Sequence, residues 1–170
     1  LVKTQAHCAD YSHIVWRHAD VLTVDPMTLG KRLRVVANIP YYLSAKLIQW
    51  FARYKTVFSD ITIMIQKEFA DKCVAIPKQN VYTSLSVFTQ RHFKVKRLFG
   101  VSRHCFQPIP NVDSSMISLV PYDCPLPVSA AVFDQVVNGC FWGKRKKLST
   151  ALNKNPYITL GSDVRDLPAL

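Results

Sequence analysis

Apolar residues recur along this chain in two alternating rhythms. Two short runs rich in β-branched and aromatic side chains have the length and composition of buried strands: Ile14-Val15-Trp16 within residues 11–17, and Leu33, Val35, Val36 and Ala37 within residues 33–37. Between residues 43 and 54, Leu43, Leu47, Ile48, Phe51 and Tyr54 fall at helical spacing, which predicts an amphipathic helix with Ser44 capping its first turn. A strand over 61–65, a short helix over 67–75 that stops near Pro77, and another helix over 82–93 follow. Strand, helix, strand, helix predicts an α/β sheet with helices on both faces and ligands beyond the carboxyl ends of the strands.

Past residue 93 the rhythm changes. Residues 93–102 and 114–122 read as two strands joined by a proline-containing loop, an antiparallel pair at the end of the sheet. A linker at 122–127, marked by Pro125 and Pro127, leads into helical patterning over 128–140 and 144–152. The chain therefore divides into an α/β portion, residues 1–122, and a small all-helical domain, residues 123–170.

A length of 170 residues with 49% hydrophobic content allows one main core and a small appendage. Charge changes the picture more. The 22 Lys and Arg against 11 Asp and Glu give a formal +11, which calls for a polyanionic partner. No apolar stretch approaches the roughly 20 residues of a membrane helix, so nucleic acid is expected and a membrane is not. Cys8, Cys73, Cys105, Cys124 and Cys140 are odd in number and scattered, without a C-x-x-C pair, and read as reduced structural residues. Residues 1–10 lack the apolar core of a secretory signal, so a cytoplasmic location is expected. No metal site is expected, because His7, His13, His18, His92 and His104 have no ligand spacing.

The sharpest local signal is Asn38-Ile39-Pro40-Tyr41, directly after a predicted strand and directly before a predicted helix. An amide side chain, a backbone carbonyl, a rigid proline and an aromatic face are the parts needed to hold an exocyclic amine on a flat base. Taken alone, the same four residues also suit an ordinary turn. Two basic clusters stand out: Lys144-Arg145-Lys146-Lys147, and the set Arg91, Lys94, Lys96, Arg97 and Arg103. Such runs are ordinarily solvated faces. If they track phosphates, each lost contact reduces the salt slope of nucleic-acid binding by about 0.7 to 0.9.

Asn38-Ile39-Pro40-Tyr41 resembles the N-[LI]-P-[YF] signature of methyltransferases acting on adenine amines. Downstream, Phe106, Pro108, Pro110, Val112, Asp113 and Ser114 resemble the F-x-P-x-P-x-V-D-S loop of the ribosomal RNA adenine dimethyltransferase family. Gln66-Lys67-Glu68-Phe69 is similar to that family's L-Q-K-E element, and residues 82–87 to its Y-x-x-L-S-V run. The resemblance implies a partial Rossmann-like class I methyltransferase sheet, with S-adenosylmethionine as cofactor and no metal. It implies a catalytic set of Asn38, Ile39, Pro40, Tyr41 and Phe106, the two rings stacking on opposite faces of the adenine. His18-Ala19-Asp20-Val21-Leu22 resembles the family's G-D-A-L element with His18 for its glycine. That assigns cofactor binding to Asp20, the backbone of Val21, and Asn38. RNA contacts are assigned to Arg91, Arg103, Lys144, Arg145, Lys146 and Lys147, the last four resembling the F-x-x-R-R-K segment of the small-subunit branch.

The implied partner is small-subunit ribosomal RNA in a pre-30S particle, met by a monomer. A macrolide-resistance methylase of large-subunit RNA and a non-catalytic nucleic-acid-binding descendant are the rival readings. The family's glycine-rich turn and ribose-binding acidic residue have no counterpart here, since none of the 5 glycines forms a G-x-G. A truncated chain is therefore expected. The 170 residues by themselves should bind S-adenosylmethionine poorly, and tight binding in calorimetry would overturn that expectation.

Overall fold

The computed structural model describes residues 11–123 and 129–143. The elements in chain order are β1 (Leu33–Asn38), α1 (Ser44–Arg53), β2 (Phe58–Gln66), α2 (Lys67–Val74), α3 (Ser84–His92), β3 (Phe93–Val101), β4 (Ser114–Pro121) and α4 (Ala130–Trp142). The strands form one mixed sheet in the order β1-β2-β4-β3. β1 and β2 are parallel, while β4 runs antiparallel to both of its neighbours, β2 and β3. The antiparallel pair anticipated from residues 93–122 is thus present.

The core follows from the period-two alternation of β2, whose Ile61, Ile63 and Ile65 are fully buried. Across the ladder Ile61 faces Leu119 and Ile63 faces Ile117, while Val35 and Ala37 of β1 pair with the same two isoleucines from the other side. Leu47, Ile48 and Phe51 of α1, Ala70 and Cys73 of α2, and Leu85 and Phe88 of α3 close over this one face. Burial of a side chain such as Ile63 contributes about 1.5–3 kcal/mol. The Cys73 thiol is pushed up to about 12 by burial, which keeps it protonated and inert.

Several sequence expectations are corrected. Helices do not cover both faces among the described residues: the second face carries Val36 at 75% exposure, Val120, Lys94 and Lys96, all exposed. Lysines and hydroxyls there need no apolar cover. For the same reason β1 is not a buried strand but alternates half-buried and exposed positions. Residues 11–17 form no strand; Val15 is 80% exposed, and no described strand offers this run a ladder partner. Ser44 is not the cap of α1. It is the first residue of that helix, buried, with its hydroxyl donating to the Tyr41 carbonyl at 2.8 Å.

α4 bears out the expected helical patterning from residue 130 and packs on α3; Tyr82, just before α3, and Phe141 have ring centroids 5.7 Å apart. Expected helicity over 144–152 lies outside the described residues. At the sheet's far end Tyr122 donates its hydroxyl to Gln90 O at 2.6 Å and its amide to His92 O at 3.2 Å. His92 packs there against Phe88, the rings tilted by 56° with centroids 4.8 Å apart, and burial first, then the neighbouring Arg91 and Lys55 cations, lower its pKa against a smaller opposing effect of Asp134.

The unfolded chain therefore takes up the His92 proton at higher pH than the folded one. Stability should be greatest above the ordinary histidine value of about 6.5 and fall as pH drops through it, ceasing to fall below the lower folded value. His92→Phe should flatten this dependence in urea unfolding measured across that window; an unchanged slope would contradict it.

Candidate base-binding cleft

Topology brings two segments distant in sequence to one edge of the sheet. β1 and β2 are parallel, so their carboxyl ends coincide; β4 begins where β2 ends, with Ser114 opposite Gln66. Val101 at the end of β3 also faces Ser114, so the β3–β4 loop emerges at that same edge. The first segment is Asn38-Ile39-Pro40-Tyr41. Ile39 N donates to Met64 O at 3.4 Å, one residue past β1, and its side chain roots the segment in the core. Pro40 ends the ladder, and Leu43 N donates to its carbonyl at 2.9 Å, closing a 3-10 turn over Tyr41–Leu43. Asn38 is left exposed at the strand's tip, with Tyr41 half-buried beside it.

The second segment is the β3–β4 loop. A 3-10 turn over Arg103–Cys105 is capped by Ser102, whose hydroxyl accepts from His104 N at 3.3 Å. Phe106 N donates to Arg103 O at 3.2 Å, and a cis peptide joins Gln107 to Pro108. Asp113 then ties the loop down: its carboxylate accepts from Arg103 N at 2.9 Å and its carbonyl from Lys67 N at 2.9 Å. The next residue, Ser114, is 1% exposed and shares a 2.6 Å hydrogen bond with the Tyr41 hydroxyl.

Between the segments lies a cleft of about 360 Å³ lined by Asn38, Ile39, Pro40, Tyr41, Phe106, Gln107, Pro108 and Pro110. That volume falls in the range of small-molecule sites, roughly 300–1,000 Å³. The lining combines two aromatic rings, three prolines and two neutral amides, without a carboxylate, imidazole or cation. It suits a flat, uncharged ring bearing polar edges. Two other cavities, of about 210 and 330 Å³, lie among α1, α3 and α4 and contain none of these residues.

The five residues expected to be catalytic therefore share one cleft. Asp20 and Val21 do not line it: Asp20 caps a 3-10 turn over Val21–Thr23, its Oδ1 accepting from Leu22 N at 3.0 Å, and both residues are exposed. Arg103 is exposed, with Nη1 3.5 Å from Asn111 O. Arg91 is a correction. Its side chain is only 12% exposed, lies 4.1 Å over the Phe133 ring and pairs with Asp134 at 3.8 Å, so it fastens α4 to α3 rather than facing phosphate. Arg97 is paired with Asp71. Lys144, Arg145, Lys146 and Lys147 lie outside the described residues. Among the described residues no group of His, Cys, Asp and Glu could hold a metal, and no helix is long and apolar enough to cross a membrane.

Sequence reasoning gave no role to Asp113, Ser114 or Gln107. The first two stood inside the loop motif, but only the sheet register reveals that Ser114 meets Tyr41.

Comparison with known proteins agrees with this arrangement. A family model described as ribosomal RNA adenine dimethylase matches residues 1–158. Ribosomal RNA small subunit methyltransferase A of Nitrosospira multiformis is 35% identical over 150 residues, 85% of this chain and 58% of that protein. Its namesake from Geobacter metallireducens is 36% identical over 153 residues, 86% of this chain and 55% of the relative. The chain thus spans about half the length of the curated relatives it matches. A crystal structure of a dimethyladenosine transferase from Plasmodium falciparum superposes with a TM-score of 0.77 at 27% identity, over 92% of this chain and 56% of that one. The 23S rRNA methyltransferase ErmE superposes with a TM-score of 0.68 at 26% identity, over 92% and 63%.

The two arginines should separate experimentally. Arg91→Ala should lower stability by about 1–2 kcal/mol in thermal unfolding. Arg103→Ala, at an exposed position, should leave the unfolding temperature unchanged.

Proposed function

Since this chain belongs to the ribosomal RNA adenine dimethylase family, we propose that the intact protein methylates adenine N6 in small-subunit ribosomal RNA, using S-adenosylmethionine. The target is two neighbouring adenosines near the 3′ end, each methylated twice, in a pre-30S particle in the cytoplasm, and the protein acts as a monomer. The observation that carries the reading is the single cleft shared by Asn38, Tyr41 and Phe106.

An adenine flipped from its stack enters that cleft between the Tyr41 and Phe106 rings. Stacking worth about 1–3 kcal/mol per base offsets the few kcal/mol that unstacking costs. The Asn38 side-chain oxygen and the Ile39 carbonyl accept from the N6 amine, turning its lone pair out of conjugation with the ring. Pro40 fixes the angle between these two acceptors. Positioning of this kind is the main contribution the protein makes. The lining offers no base, which suits an amine whose proton becomes acidic only after alkylation.

S-adenosylmethionine, when bound, supplies the electrophilic methyl. The residues that would hold it have fitting chemistry: Asp20 is an exposed carboxylate already oriented by its cap bond, matched to an adenine amine, and Asn38 stands at a strand tip beside the cleft. The backbone of Val21 completes the set. Lys144, Arg145, Lys146 and Lys147 contact phosphate from the C-terminal segment, joined on the catalytic portion by Arg103. The likeness to ErmE supports large-subunit RNA as a second reading. The curated relatives, named for the small subunit, favour the first.

Asn38→Ala and Phe106→Ala, introduced separately into the intact protein in cells lacking the native gene, should each reduce N6-dimethyladenosine in small-subunit RNA at least about 100-fold by mass spectrometry. RNA affinity should fall only modestly. Full dimethylation by the Asn38 variant would remove the adenine-site reading, and full dimethylation in the same cells without any copy of the protein would identify a nucleic-acid-binding protein that does not catalyse.

A further inference from the structure

Both rings of the cleft are fastened to one dipeptide. Tyr41 Oη lies 2.6 Å from Ser114 Oγ, and Asp113 Oδ1 accepts from Arg103 N at 2.9 Å, at the base of the turn that ends in Phe106. These two partners are consecutive, and neither can drift. Ser114 opens β4, is 1% exposed, and is paired with Gln66 on one side and Val101 on the other. Asp113 is held through its own carbonyl by Lys67 N at 2.9 Å. A tyrosine ring whose hydroxyl is bonded cannot swing about its side-chain torsions, and a turn whose first amide is bonded cannot hinge.

We infer that Asp113 and Ser114 are positioning residues, which set the spacing between the Tyr41 and Phe106 rings without touching the base. The inference rests on reading the cleft as the adenine site. It explains a feature that stacking alone leaves idle: a phenylalanine would stack as well as Tyr41, but only a hydroxyl reaches the sheet. Loss of the tether lets the ring sample orientations in which a stacked base is off line. The cost falls on turnover more than on capture, because a displacement near 1 Å can reduce rate by about 100-fold while stacking area barely changes.

The test is a double-mutant cycle in the intact protein, with methyl incorporation into unmethylated small-subunit particles followed at steady state. Tyr41→Phe and Ser114→Ala remove the same bond from opposite ends. Each should lower kcat about ten-fold with KM changed less than about three-fold, and the double variant should be no slower than either single. Tyr41→Phe opens no cavity, so its result stands even if Ser114→Ala destabilises the buried strand start, which thermal unfolding will report. Asp113→Ala should lower kcat similarly, and Asp113→Asn, which can still present an acceptor oxygen to Arg103 N, should recover most of it.

Additive effects in the cycle, or wild-type kcat for Tyr41→Phe, would overturn the positioning role. The Asn38→Ala protein is the control: if it loses methylation while the cycle is additive, only the positioning role fails. If it methylates normally, the adenine-site reading falls and the positioning role with it.

Discussion

The antiparallel pairing of β4 with β2 is the constraint on which the rest depends. It starts β4 at the point where β2 stops, with Ser114 opposite Gln66, and so returns the β3–β4 loop to the edge already occupied by the end of β1. Had β4 run parallel to β2, its first residue would lie at the opposite edge, and Phe106 would be a sheet's length from Asn38. Strands rise about 3.3 Å per residue, so for a strand of 9 residues that separation is about 30 Å. One choice of strand direction thus decides whether a cleft exists at all.

That choice is enforced by the core rather than by the loops. Ile61, Ile63, Ile117 and Leu119 lie on one face of the sheet in the observed register, and a slip of β4 by one residue would turn Ile117 and Leu119 to the face of Lys94 and Lys96 and bring Ser118 into the core. Four buried aliphatic side chains at about 1.5–3 kcal/mol each outweigh any single loop contact. The cleft residues can then be selected for chemistry, since little of the fold's stability resides in them. Ile39 is the exception, only 6% exposed and shared between core and site. It ties the peptide carrying the Asn38 amide to the rigid part of the molecule.

Local signals in the sequence were legible where period and burial coincide. The alternation of β2, the helical face of α1 and the two strands flanking the proline loop could all be read along the chain, because each buries one side against the same core. Residues 11–17 misled because a β-branched run fixes only a preference, whereas a strand also needs a neighbour for its hydrogen bonds. Ser44 misled for a related reason: serine caps helices often, but a preceding 3-10 turn moved the helix start and turned its hydroxyl back to Tyr41. Arg91 belonged to a basic cluster by sequence, and only tertiary packing against Phe133 and Asp134 removed it from the surface. The residues that line the cleft were visible as two motifs 68 positions apart, from Asn38 to Phe106. Their proximity was not, because it is a property of strand order.

The distribution of charge follows the same logic. Carboxylates near the sheet are occupied: the hydrogen bond from Arg34 lowers the pKa of Asp60, Asp71 meets Lys67 and Arg97, and Asp113 accepts from a backbone amide. None lines the cleft. An ionised acid between two aromatic rings would be expensive to desolvate, and a flat base entering the cleft would strip its water further. An amide oxygen accepts a hydrogen bond from a neutral amine at far smaller desolvation cost, and it cannot lose that ability over the pH range in which the fold is stable. Under the proposed function, a neutral acceptor at Asn38 is therefore better matched than aspartate to an amine that is oriented but not deprotonated. Basic residues such as Lys94, Lys96 and Arg103 stay outside the cleft on exposed strand and loop positions, so the cleft itself keeps a neutral lining.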